Sequence, residues 1–129
     1  MREEVKKWIE QAKYDLDSAK DNLNNKRYNL VVFLCHQAVE KALKSLVVNK
    51  EKDPSLFIKS HSLIFLGKKA RIPEKFHTFL RNLTPEYIIT RYPSESTDAP
   101  YELYDENIAK EYLQKTGEVL EWIKQQLRY

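Results

Sequence analysis

Arg91 stands among tyrosines. Tyr87 lies four residues before it, Tyr92 follows it directly, and Tyr101 and Tyr104 come soon after. A guanidinium beside phenol rings can hold a phosphate while a ring stacks a base. The same residues also suit packing, with the tyrosines pinning a loop and Arg91 pairing with Glu95, Asp98 or Glu102. A second polar set lies in residues 34–50, LCHQAVEKALKSLVVNK. At helical spacing His36, Gln37, Glu40, Lys41 and Lys44 form a narrow strip beside a wide apolar face, and the strip is expected to face solvent. Glu40 and Lys44 are then a solvated i,i+4 ion pair.

Other chemistries find less in the chain. The histidines stand at 36, 61 and 77, and no two share a metal-ligand spacing, so no metal site is expected. His61 precedes a helix, which it could cap, or it could hydrogen-bond across the protein. Cys35 is the single cysteine, which excludes an internal disulfide and a cysteine zinc cage. It falls in the apolar arc, where a thiol is inert packing. There is no glycine-rich phosphate loop, HExxH or EF-hand spacing, and no cofactor is implied.

The elements that must position these residues read as helices. Val5, Trp8, Ile9, Ala12, Leu16, Ala19 and Leu23 recur at steps of three and four, which predicts a long helix over 2–24. Asn24-Asn25 supplies the stop, since Asn tolerates the left-handed conformation. A second helix runs from about Arg27 to Asn49, with apolar residues over about half its circumference at ~100° per residue. That width requires several neighbours, so this helix is central.

A short turn is expected at Asp53-Pro54, and a third helix opens at His61-Ser62. A fourth segment starts at Pro73. Thr84-Pro85 reads as an N-cap followed by proline at the first helical position. Residues 90–104 form a long connection, and Asp105 caps a last helix to about Leu127. Gly117 inside that helix suggests a close approach by another helix. The result is one all-α domain over residues 1–129, an up-and-down bundle of four or five helices with the first two as an antiparallel hairpin.

Charge is unevenly spread along the chain. Residues 1–40 hold 7 basic and 7 acidic side chains; residues 41–81 hold 10 and 3, a net of +7; residues 82–129 hold 5 and 9, a net of −4. A basic middle can attract phosphate-bearing ligands, face the acidic segment, or simply keep lysine-rich helices solvated. No apolar run approaches the ~20 residues of a membrane span, and no signal-peptide pattern opens the chain, so a cytoplasmic location is expected.

Four pieces in order resemble the HEPN family. The run from Ala12 through Asp15 and Leu16 to Ala19 is similar to the family's A-x-x-D-L-x-x-A start. Gln37-Ala38-Val39-Glu40-Lys41-Ala42-Leu43-Lys44 resembles Q-A-x-E-K-x-L-K. His61-Ser62-Leu63 resembles H-x-L, and Arg91-Tyr92-Pro93 resembles the R-Y-P before the last helix. The match spans roughly residues 5–125.

The resemblance implies a helical bundle, commonly a homodimer, often partnered by a small nucleotidyltransferase in a two-component, toxin–antitoxin-like module. It implies nucleotide or RNA binding, and for many members metal-independent ribonuclease activity through R-x(4–6)-H. No histidine follows Arg91 at that spacing. After Arg81 the spacing reaches Tyr87, a poor general base with an ordinary pKa near ~10. Arg71 precedes His77 at an acceptable spacing, but Pro73 lies between them. Ribonuclease activity is therefore not carried over, and Arg91, Arg81 and Tyr87 remain the residues such an activity would need. The expected ligand-binding residues are Gln37, Lys41 and Lys44 from the strip, with Arg91 and Tyr92. The other reading is an interaction module whose wide apolar face makes a dimer and binds no ligand.

Overall fold

The apolar run from Val31 to Val48 dictates the architecture. The structure, a computed structural model, describes residues 1–95 and 98–129, with Glu95 in its backbone only. The chain forms α1 (Glu3–Asn24), α2 (Tyr28–Lys50), a single turn α3 (Ser55–Ile58), α4 (Leu63–Ala70), α5 (His77–Leu83), a further turn α6 (Glu86–Ile89) and α7 (Glu106–Leu127). Short 3-10 turns cover Glu74–Phe76, Pro93–Glu95 and Pro100–Glu102. No strand occurs among the described residues, and the all-α bundle expected from the sequence is the fold observed. No helix of the described residues is long and apolar enough to cross a membrane.

α2 is more central than its periodicity suggests. From Ala42 to Val48 every residue is buried, so this half of the helix is covered on all sides. α1, α7, α4, α6 and α3 all pack against it. Val5, Ile9, Ala12 and Ala19 of α1 are fully buried, as the stripe requires. In α7 the Asp105 carboxylate accepts from the Ile108 amide at 2.9 Å, the expected N-cap.

Three local expectations are corrected, and the choice left open for His61 is settled. The left-handed residue after α1 is Lys26 (φ 60°), while Asn25 keeps φ −88°. The amides of Lys26 and Arg27 bond back to the carbonyls of Leu23 and Asn22, so the hydrogen-bond geometry of the helix end selects the position over side-chain preference. Thr84 does not cap α6; its hydroxyl donates back to the Leu80 carbonyl at 2.8 Å. Ser62, rather than His61, caps α4, accepting from the Phe65 amide at 3.2 Å. Gly117 meets no close neighbour, since a Cβ there would find nothing within 4 Å. The glycine that packing demands is Gly67, where a Cβ would lie 2.7 Å from Leu80 Cδ1 and 3.2 Å from Ile72 Cγ2.

Candidate functional site

The strip on α2 is turned inward where solvent exposure was expected. His36, Glu40 and Lys44 are 0 %, 4 % and 3 % exposed, and Gln37 and Lys41 are half-buried. Burial of charge is tolerated because each group has a partner. Lys44 Nζ lies 3.0 Å from Glu40 Oε2, so the expected i,i+4 pair forms inside the bundle and not in solvent. The Trp8 ring covers the same ammonium, with its centroid 5.6 Å away. Lys41 turns toward α1, where its Nζ sits 2.6 Å from Asp15 Oδ2, and Gln11 donates to the other oxygen of Asp15.

The second oxygen of Glu40 leads out of the core. It accepts from His61 Nδ1 at 2.9 Å, so the Q-A-x-E-K and H-x-L segments meet through one carboxylate. A carboxylate only accepts, hence Nδ1 carries the proton. In the neutral ring Nε2 then points its lone pair at the Tyr87 hydroxyl, 3.4 Å away. The His61 and Tyr87 rings stack, with centroids 4.3 Å apart and planes 15° apart. His36 lies against the same tyrosine at 5.2 Å. Burial holds the His36 ring below the ordinary histidine range, against the opposing pull of Glu40, Gln37 and the His61 backbone. Its Nδ1 faces the Gln37 side-chain oxygen at 3.3 Å, and its Nε2 is fully buried.

Arg91 completes the arrangement. Its Nε donates to the Tyr87 carbonyl at 2.8 Å. Its guanidinium carbon lies 4.5 Å from the Tyr87 centroid, 4.7 Å from Phe33 and 4.9 Å from Tyr92. Arg91 is half-exposed and Tyr92 is exposed. His61, Ser62, Thr84, Pro85, Tyr87 and Ile88 surround an open depression of about 320 Å³. That volume is within the range of small-ligand sites. The side chain of Glu95, one of the acids expected to pair with Arg91, lies outside the described residues.

A four-residue helix carries this group, so α6 must be held by its side chains. The Tyr104 hydroxyl donates to Glu86 Oε1 at 3.0 Å, the Thr90 hydroxyl donates to the Glu86 carbonyl at 2.6 Å, and Asn29 of α2 donates to the Thr90 carbonyl at 3.2 Å. Burial raises the Glu86 carboxyl above its usual range, with the Tyr104 bond acting against it. Tyr104 is itself raised by burial and by the Glu86 charge. These bonds tie α6 to the start of α2 and to the segment before α7.

The residues singled out from sequence therefore fall into two groups. Arg91, Tyr92 and Tyr87 come together, and the structure adds His61, His36 and Glu40 to them. The spacing of Glu40 to Lys44 pointed to an ion pair, but nothing local in the sequence links Glu40 to His61, 21 residues away. Lys41 and Lys44 are committed to carboxylates. Arg81 is exposed on α5, beside Lys68 and His77. Cys35 is buried, and burial pushes its thiol up to about 12. A larger depression of about 430 Å³ lies over Phe76, Phe79 and Trp122. Its rim mixes lysine with glutamate, so it lacks the one-signed field an anion needs.

Comparison with known proteins gives a consistent result. The family model described as HEPN domain matches residues 5–126. Among solved structures the chain is similar to TT1696 from Thermus thermophilus, with 26% identity and a TM-score of 0.86, covering 96% of this chain and 98% of that one. It is also similar to ST0689, an archaeal HEPN homologue, with 32% identity and a TM-score of 0.78, covering 98% of each chain. No curated protein sequence matches the chain.

Proposed function

The chain belongs to the HEPN family, and we propose that it binds a nucleotide or RNA at the face formed by Arg91, Tyr87, Tyr92 and His61. The observation that carries this reading is the half-exposed Arg91 guanidinium held against three aromatic rings beside an open depression. A fixed guanidinium suits a phosphate oxygen, and an exposed ring such as Tyr92 suits a base. Gln37 reaches this face only through His36, which lies against Tyr87, and Lys41 and Lys44, each paired with a carboxylate, bring no free charge to it. The family resemblance extends the proposal to a homodimer that works with a small nucleotidyltransferase in a two-component, toxin–antitoxin-like module. Co-purification with a nucleotidyltransferase encoded beside this gene tests that extension.

Calorimetric titration with a nucleoside monophosphate and with a short RNA tests the ligand role. Arg91→Ala removes a charge-assisted contact and a stacking cation, together about 2 kcal/mol, or roughly thirtyfold in affinity. Unchanged affinity for both ligands would remove the proposal.

One observation favours a second reading, a metal-independent ribonuclease. In place of the histidine missing after Arg91 in sequence, this reading uses His61, which stacks on the same tyrosine that Arg91 covers. Its Nδ1 is held by Glu40, and a ribose hydroxyl that displaces the Tyr87 hydroxyl from Nε2 could exchange a proton there while Arg91 stabilises phosphate charge. RNA cleavage in EDTA that disappears in both His61→Ala and Arg91→Ala supports this reading. An intact substrate with the unsubstituted protein excludes it.

A further inference from the structure

Two depressions lie along the contact of α4 with α5, and the charged side chains that line the second are basic. At one end lies the depression bounded by His61 and Ser62 at the start of α4 and by Thr84 and Pro85 after α5. One turn further along the same two helices lies a second, much smaller depression of about 40 Å³, lined by Ile64, Ile72 and Leu80 with Lys68, His77 and Arg81. Arg71 closes the far end of α4, exposed and left-handed with φ 57°. Between Ser62 and Pro85 the chain carries Lys68, Lys69, Arg71, Lys75 and Arg81 against Glu74 alone. Lys69 turns to Glu51 and to the Phe57 ring. Among the described residues, Lys68, Arg71 and Arg81 form no ion pair.

Lysines placed only for solubility are commonly interspersed with acids on the same surface. Here 18 of the 19 acidic residues lie outside the stretch from Ser62 to Pro85, ten of them on α1 and α7. The floor of the groove is shaped by Gly67, whose missing side chain lets Leu80 and Ile72 close over α4. A shallow apolar floor flanked by unpaired cations, leading from a stacking platform, is the layout of a single-strand track.

We propose that the α4–α5 groove is a phosphate track for a single-stranded polynucleotide, with Lys68 and Arg81 contacting the backbone of the strand whose base and phosphate occupy the Arg91 face. This rests on the nucleotide reading above and deepens it: the ligand is a chain rather than a free mononucleotide. The track touches phosphates, so it accepts ribose and deoxyribose strands alike.

The test uses fluorescence anisotropy with labelled oligo(U) and oligo(dT) octanucleotides, labelled poly-glutamate, and a mononucleotide titrated by calorimetry. The octanucleotides bind at least about tenfold tighter than the mononucleotide, and oligo(U) and oligo(dT) differ by less than about tenfold. In Lys68→Ala/Arg81→Ala, octanucleotide affinity falls at least about tenfold, mononucleotide affinity is unchanged, and the log–log salt slope shrinks by about 1.4, roughly 0.7 for each lost contact. An octanucleotide bound no better than the mononucleotide overturns the track, as does an unchanged salt slope in the double variant. Poly-glutamate bound as well as the oligonucleotides assigns the groove to an acidic protein partner instead. Failure of the parent reading looks different: Arg91→Ala then leaves mononucleotide binding untouched whatever the groove variant does.

Discussion

At the scale of single residues, Glu40 organises the site. One carboxylate neutralises Lys44 inside the bundle and holds His61 at its edge, joining stability to the candidate chemistry. Removing one side of a buried pair leaves the other uncompensated. Lys44→Met is therefore expected to destabilise the protein by about 3 kcal/mol in denaturant unfolding, with Glu40→Leu/Lys44→Met recovering much of the loss. A single variant as stable as the parent would show that the pair carries no such role. The spacing of Glu40 and Lys44 announced their pairing but placed them on the surface. Helical periodicity assigns residues to faces without stating how many neighbours surround a face, and α1, His61 and α6 cover the strip that the pattern left open. Arg91 with Tyr87 and Tyr92 was legible because these residues are neighbours in sequence, whereas Tyr104, read with them, turns to Glu86 and Tyr101 is exposed. For His61 a hydrogen bond across the bundle was legible as one of two roles, but its partner was not, because Glu40 lies on another helix.

At the scale of elements, α6 is a single turn asked to hold a site. Its position depends on the Glu86–Tyr104 bond. Tyr104→Phe leaves a buried carboxylate oxygen without its donor, expected to cost about 1–3 kcal/mol and to weaken ligand binding through movement of α6. The pH dependence has a definite sign. Burial raises the Glu86 carboxyl above its ordinary 4.5, so the folded protein binds this proton more readily than the unfolded chain. The stabilising contribution is complete below about 4.5 and is lost as pH rises through the folded value. Glu86→Gln keeps an acceptor for Tyr104 without the charge. Thermal unfolding should find it more stabilising at neutral pH than near pH 4.5, and a gain independent of pH would contradict the assignment. Gly67 makes a second test of element packing. Gly67→Ala forces Leu80 or Ile72 to shift at the α4–α5 contact, expected to cost about 1–3 kcal/mol, whereas Gly117→Ala, with open space around it, should stabilise α7 by a few tenths up to about 1 kcal/mol. Reading along the chain marked the wrong glycine, because only packing distinguishes the two.

At the scale of the whole molecule, the two long outer helices and the central α2 form a scaffold, and the shorter α4, α5 and α6 carry the residues proposed to meet a ligand. The bundle and its helix order were readable from apolar periodicity, which averages over many residues. The distribution of basic charge was also readable, but its concentration along one groove required the packing of α4 on α5. The proposed homodimer predicts a solution mass of about twice 15.4 kDa by light scattering, and a mass of one chain at all concentrations would exclude it. The proposed nucleotide seat at Arg91 and its aromatic neighbours is open to direct inspection in a crystal structure of the protein with a nucleoside monophosphate. A phosphate oxygen is expected within hydrogen-bond distance of the Arg91 guanidinium, with a base against the exposed Tyr92. Saturating nucleotide with that face empty, or a nucleotide seated on another face, would contradict it.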